Sequence, residues 1–241
     1  VSPDSICQTV AGPGTSAGSP VYAYSTKNEL VQRTDTGATF YHDPLGRLDT
    51  TSAAGLTTKL QYDGVNISAE LDGGNALIRR YVHGPGEDEP LVWYEGSDFS
   101  DRRYLVADER GSVVAVTDAS GNLVALNSYD DAGIPGLTNL GRFQYTGQAW
   151  LPELGMYSYK ARVYSATLGR FVQTDPAGYP DGPNWYAYAG NDPVNNRDPS
   201  GLLEDIIVTA PGGAGGWSGG SLSDGFGAAQ GAFFYAQMQV I

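Results

Sequence analysis

Tyrosines recur along this chain at similar intervals: Tyr24, Tyr41, Tyr62, Tyr81, Tyr104, Tyr129 and Tyr145, separated by 17, 21, 19, 23, 25 and 16 residues. A period of about 20 fits one β-hairpin with its turns per unit, so the chain reads as an internal repeat. A second mark travels with the tyrosines, an Asp followed three residues later by Gly: Asp43 and Gly46, Asp108 and Gly111, Asp118 and Gly121, Asp130 and Gly133. At the first position of a β-turn the carboxylate accepts nearby backbone N–H groups, and Gly at the fourth tolerates the exit dihedral. Strand-like runs flank these turns at 77–82, 90–94, 112–117 and 122–126, and Asp118-Ala-Ser-Gly121 is the clearest hairpin connection. The expected fold is all-β, an antiparallel meander that strand twist must curl and whose edges must be covered or closed.

Charge and residue usage exclude several functions. A formal net charge of -13 opposes binding to phosphate backbones, so neither nucleic acid nor an anionic membrane surface is an expected partner. Cys7 is the single cysteine, and His42 and His83 are the two histidines, too few for a disulfide framework or a zinc site, and no cofactor is expected. No run of eighteen apolar residues argues for a membrane span. The sequence shows no signal peptide, so a secreted or extracellular location implies another export route. Residues 1–20, rich in Ser, Gly, Pro and Thr, read as a linker.

The place to ask about chemistry is a pair of like motifs, Asp175-Pro-Ala-Gly178 and Asp198-Pro-Ser-Gly201, bracketing a block at 184–196 rich in aromatics and Asn. Each is close to an ideal type I turn, and Asp43-Pro-Leu-Gly46 is the same motif with no chemistry attached. As a pair, however, two carboxyls supply what metal-free peptide hydrolysis needs, one ionised to take a proton from water and one protonated to donate to the carbonyl oxygen. The strand-like run at 185–188 is expected to form a hairpin that returns the chain and brings the two turns together. Arg170, Arg162 and Arg197 are the nearby cations, with Arg170, inside Gly-Arg-Phe, ranked first.

Several short motifs carry a family resemblance. Tyr41-His-Asp-Pro-Leu-Gly-Arg-Leu48 resembles the YD repeats of Rhs proteins and, more distantly, of teneurins and insecticidal toxin complex C subunits. Phe143-Gln-Tyr-Thr-Gly-Gln148, Tyr157-Ser-Tyr-Lys-Ala-Arg-Val-Tyr164, Leu168-Gly-Arg-Phe171 and the two Asp-Pro-x-Gly motifs are similar, in order and spacing, to the Rhs-associated core domain of polymorphic toxins. The resemblance implies a strip of sheet spiralled into a hollow cocoon with the core domain as a plug. It also implies single-turnover aspartic autoproteolysis by Asp175 and Asp198 between Leu202 and Leu203, freeing a C-terminal toxin. The implied organisation is a linker (1–20), a YD-repeat sheet (21–142), a core domain (143–202) and a variable Gly-rich tail (203–241). The implied partners are the chain's own C-terminal peptide and a secretion apparatus or immunity protein.

A rival reading is a non-catalytic scaffold whose tyrosines bind carbohydrate or protein, or whose strand edges join copies into a homo-oligomer or fibre. Other signals have plain readings. The run Ile206-Ile-Val-Thr-Ala210 before Gly212 to Gly216 imitates a dinucleotide turn but lacks the helix and downstream acid, so it reads as a linker. Gly227 to Gly231 has the spacing of packed helices in too short a tract, and Glu87-Asp88-Glu89 reads as a solvated loop between prolines. No Gly-x-Ser-x-Gly elbow supports a hydrolytic triad around His42.

Overall fold

A computed structural model describes residues 8–11, 21–178, 183–202 and 205–206. The chain is all-β. Twelve strands form one antiparallel sheet in which each pairs with the next: β1 (Gln8–Ala11), β2 (Val21–Tyr24), β3 (Leu30–Arg33), β4 (Ala38–His42), β5 (Leu48–Ala53), β6 (Leu56–Asp63), β7 (Asn66–Asp72), β8 (Leu77–His83), β9 (Pro90–Glu95), β10 (Asp101–Ala107), β11 (Val113–Thr117) and β12 (Leu123–Leu126). Among the described residues this sheet does not close on itself. The strand β1 falls inside the stretch read as a linker: despite its flanking Ser and Gly, Gln8–Ala11 pairs along β2.

The Asp-x-x-Gly units are hairpin connections, as expected. At Asp43, Asp108, Asp118 and Asp130 the carbonyl accepts the N–H of the Gly three residues on at 2.9–3.0 Å. In each, Asp Oδ1 also accepts the N–H groups two and four residues on. The glycines stand at φ +81 to +89, the left-handed exit that makes this a type I turn with a bulge. Two further connections have the same shape, closed by Asn28 (φ 64) after Ser25 and by Asn75 (φ 68) after Asp72.

One face of the sheet is apolar, with Tyr24, Leu30, Phe40, Leu48, Leu60, Tyr81, Trp93, Leu105 and Val116 all buried. The recurrent tyrosines do not all share that face: Tyr24 and Tyr81 lie in it, whereas Tyr41 is 60% exposed and Tyr104 36%, because their irregular spacing changes parity against a period of two. At Tyr41 it is the neighbouring Phe40 that turns inward.

A second, four-stranded antiparallel sheet packs on that face: β13 (Ala149–Leu151), β14 (Met156–Tyr159), β15 (Arg162–Ser165) and β16 (Arg170–Phe171). It and its flanks are bonded to strands far apart in the large sheet. Tyr24 of β2 donates to the Val172 carbonyl at 2.8 Å, Arg33 of β3 to Leu154 at 2.9 Å, and Thr51 of β5 to Glu153 at 2.9 Å. Arg142 holds Glu70 of β7 at 2.8 Å, and Val113 of β11 donates to the Gln144 carbonyl at 3.0 Å. A flat sheet of twelve strands would be about 50 Å wide. One small sheet touching both β2 and β11 therefore means that the large sheet is curled around it.

The far side of the small sheet carries an aromatic cluster, Tyr145, Tyr157, Tyr159, Tyr164, Phe171 and Tyr188, each at most 1% exposed. Buried hydroxyls need partners. Three of them cap successive carbonyls of the Asp130–Gly133 turn: Tyr145 donates to Asp131 at 3.0 Å, Tyr164 to Ala132 at 2.8 Å and Tyr157 to Gly133 at 2.9 Å. Last come β17 (Asn196–Arg197) and β18 (Asp205–Ile206), an antiparallel pair. The glycine-rich signals at 212–216 and 227–231 lie outside the described residues.

The segment 185–188 is not a strand. Asn184 closes a turn with Ala187, and a tight turn with Ala189 and Asn191 at positive φ follows. It returns the chain nonetheless, as Phe171 donates to the Tyr186 carbonyl and Asp175 to the Trp185 carbonyl, both at 3.0 Å.

Candidate active site

Asp175 opens the turn after β16, and Gly178 donates back to its carbonyl at 3.2 Å. Its Oδ1 accepts the Ala177 N–H at 2.7 Å, which leaves Oδ2 to point inward. Asp198 follows β17 and repeats the arrangement: its Oδ1 accepts the Leu202 N–H at 3.0 Å and the Ser200 hydroxyl at 3.3 Å. Both residues are buried, at 7% and 2% exposure, although Asp is rarely so.

The two inward oxygens meet the same guanidinium. Arg162, at the start of β15, places one terminal nitrogen 2.9 Å from Asp175 Oδ2 and the other 3.1 Å from Asp198 Oδ2. Its Nε donates to the Gly201 carbonyl and a terminal nitrogen to the Trp185 carbonyl at 3.3 Å. The guanidinium lies 3.8 Å over the Phe171 ring, which fixes its plane. Two carboxylates 23 residues apart in sequence are thus joined by a cation, rather than by proximity alone, next to the backbone that leads into Leu202.

Arg170 is not part of this cluster. Tyr164 faces Phe171 across β15 and β16, and Arg162 shares the face of Tyr164 because side chains alternate with a period of two. Arg170, next to Phe171, therefore points the other way, exposed, with its guanidinium 5.9 Å over the Tyr186 ring. The same alternation, applied to Tyr164 and Phe171 as inward aromatics, selects Arg162 from sequence. Leu202 is half-buried, and Leu203 lies outside the described residues.

The acidic run at 87–89 departs from a solvated loop. Glu87 and Glu89 are exposed, but Asp88 is buried and paired with Lys160 at 2.6 Å. No helix among the described residues is long and apolar enough to cross a membrane.

Fold and site together define an all-β repeat scaffold that wraps a smaller sheet and presents a buried Asp-Arg-Asp cluster near its last described residues. No family model matches the chain. It is 30% identical over 227 residues to the tRNA3(Ser)-specific nuclease WapA of Bacillus spizizenii, a match covering 87% of this chain and 10% of that protein. It is 43% identical over 67 residues to toxin protein Tse5 of Pseudomonas aeruginosa, covering 28% of this chain and 5% of that one. Among solved structures, TcdB2-TccC3 without its hypervariable C-terminal region aligns with 80% of this chain and 9% of its own, at 22% identity and a TM-score of 0.48. With the WapA and Tse5 relatives, the repeat units and the core motifs, the chain belongs to the Rhs/YD-repeat toxin family. It spans about a tenth of the length of the WapA relatives.

Proposed function

We propose that this chain is the closing end of an Rhs-type toxin shell that cuts itself between Leu202 and Leu203, with residues 21–142 as wall, 143–202 as plug and the segment beyond 202 as cargo. The observation that carries this reading is the convergence of Asp175 and Asp198 on Arg162, whose Nε also holds the Gly201 carbonyl one residue before Leu202. Water adds to the Leu202 carbonyl carbon as one carboxylate takes its proton. The C–N bond to Leu203 then breaks, the departing nitrogen takes the proton, and a Leu202 carboxyl terminus and a Leu203 amine remain. Arg162 keeps the two carboxylates and the substrate backbone in one frame, which is the positioning such a step requires. Burial keeps bulk water from competing for the hydrogen bonds that hold this frame.

Relatives named as a nuclease and a toxin support reading the released segment as cargo delivered outside the producing cell, with a secretion apparatus and an immunity protein as partners. Intact-mass analysis tests the cut. The parent chain yields a fragment ending at Leu202, whereas Asp175→Asn and Asp198→Asn stay full-length. Equal cleavage in all three overturns the reading and leaves a non-catalytic scaffold.

A further inference from the structure

Three consecutive carbonyls lead into Leu202, and three consecutive residues hold them. Lys160 Nζ donates to the Pro199 carbonyl at 2.5 Å, the Ala161 N–H to Ser200 at 3.2 Å, and Arg162 Nε to Gly201. The second of these is a backbone bond and the third belongs to the aspartate cluster. The first has a different origin, because Lys160 is itself held from outside the small sheet.

Its partner is Asp88, in the loop between β8 and β9 of the large sheet. Asp88 Oδ1 takes Lys160 at 2.6 Å and Oδ2 takes Gln148 Nε2 at 2.6 Å, while the same Gln148 nitrogen donates to the Pro199 carbonyl at 3.1 Å. One carboxylate from the wall thus aims two donors at one carbonyl of the proposed cleavage loop. Asp88 is 8% exposed and Gln148 3%, so little water competes for these bonds. The arrangement is also conformationally costly. Asp88 and Lys160 stand at φ +51 and +61, and the Asp88 carbonyl approaches Gly147 so closely that a Cβ there would collide with it. Residues held in the left-handed region persist only when their surroundings over-determine them.

We propose that Asp88, Lys160 and Gln148 form a positioning clamp that makes self-cleavage conditional on docking of the repeat sheet: the 198–202 loop reaches cutting geometry only once the β8–β9 loop has closed onto the small sheet. The inference rests on the cleavage reading above. It supplies that reading with order, since a shell that cut before its wall had closed would lose its cargo. None of the three side chains touches the reacting bond; each acts through the Pro199 carbonyl.

Cleavage of the freshly synthesised full chain, followed by intact mass, tests the clamp. Asp88→Ala and Lys160→Met are expected to slow cleavage about a hundredfold, the scale of an ångström misplacement, while Lys160→Arg, which keeps charge and donors, stays within about threefold of the parent. In an Asp175→Asn background, adding Lys160→Met is expected to remove hydrogen-exchange protection from the Leu202 N–H. Parental cleavage rates in Asp88→Ala and Lys160→Met, with Asp175→Asn still intact, overturn the clamp and spare the cleavage reading. Unchanged Leu202 protection also overturns it. Cleavage of Asp175→Asn at the parental rate removes both. Should Asp88→Ala fail to fold, Lys160→Met, whose side chain is partly solvent-exposed, decides alone.

Discussion

Among the described residues, Glu70 is the one carboxylate on the large sheet with no exposure at all, and its ion pair with Arg142 fastens the small sheet's leading segment to β7. Burial alone would push its carboxyl up. The Arg142 guanidinium on both oxygens, at 2.8 and 2.9 Å, the Tyr81 hydroxyl at 2.6 Å and Arg79 at 3.1 Å override that and hold it at about 2. Holding the carboxyl at about 2 rather than at its ordinary 4.5 is worth on the order of 3 kcal/mol. A depressed carboxyl stabilises the fold fully above its unfolded pKa and loses that contribution as pH falls through the folded one, so the window is from about 4.5 down to about 2. Urea midpoints measured from pH 7 to pH 2.5 for the parent and Glu70→Gln isolate the effect, because the other carboxylates titrate in both. At pH 7 the variant leaves Arg142 buried without its counter-charge and is expected to be less stable by about 3–5 kcal/mol. Below pH 4.5 the gap should shrink steadily, because the unfolded parent takes up a proton on Glu70 that the folded parent refuses until about pH 2. A gap that stays constant across the range, or none at any pH, would refute the reasoning.

Three further substitutions test geometry at the cluster and at the turns. Arg162→Lys keeps the cation but loses the planar fork that spans both aspartates, and is expected to cost about 2 kcal/mol in chemical denaturation and to abolish the Leu202 fragment; an unchanged midpoint would count against the bridging role. Gly201→Ala puts a side chain at φ +72 and drives a Cβ into the Tyr159 carbonyl, whereas Gly121→Ala at φ +83 meets open space. The second should cost about 1–2 kcal/mol and the first clearly more, and equal losses would remove the close approach as the reason for Gly201.

The β class, the hairpin connections and the aspartate pair were legible in the sequence because each rests on local chemistry. A carboxylate that accepts the N–H groups of its own turn marks itself, as at Asp118, wherever Gly supplies the exit. Where Asn supplies it, at Asn28 and Asn75, the same turn hides from an Asp-to-Gly scan, although Asn is the other residue that tolerates this conformation. Tyrosine spacing revealed the unit but not its facing, since a gap of 17 or 21 against a period of two depends on bulges such as the one between Tyr41 and His42. Motif alone favours Arg170 over Arg162, and the structure reverses that order at the cluster because the face of a strand is decided by its neighbours in the sheet and not by the motif it sits in. Asp88 carries only the signal of its acidic run between prolines, which points to solvent. Its neighbours are acidic and exposed, and only the fold brings Lys160 to it across 72 residues of sequence.

Asp43, Asp175 and Asp198 carry one motif, and the contrast among them identifies which turns are free to do more than turn. In the first, Oδ1 accepts Leu45 and Arg47 N–H groups at 2.8 and 3.0 Å, and Oδ2 pairs with the Arg47 side chain at 2.7 Å, so the whole carboxylate is satisfied within five residues at the surface. In Asp175 and Asp198 the local turn occupies Oδ1 and leaves Oδ2 facing inward. A buried carboxylate oxygen without a partner is too costly to persist, so each must find a cation beyond its own turn. The fold answers both demands with one guanidinium 13 and 36 residues upstream, and that shared answer, rather than the motif, is what draws the two turns into a single site. It follows that the proline and glycine of each motif act on the site indirectly: by closing the turn on Oδ1 they aim Oδ2 inward. Relaxing either turn would therefore weaken the pair without touching a carboxylate.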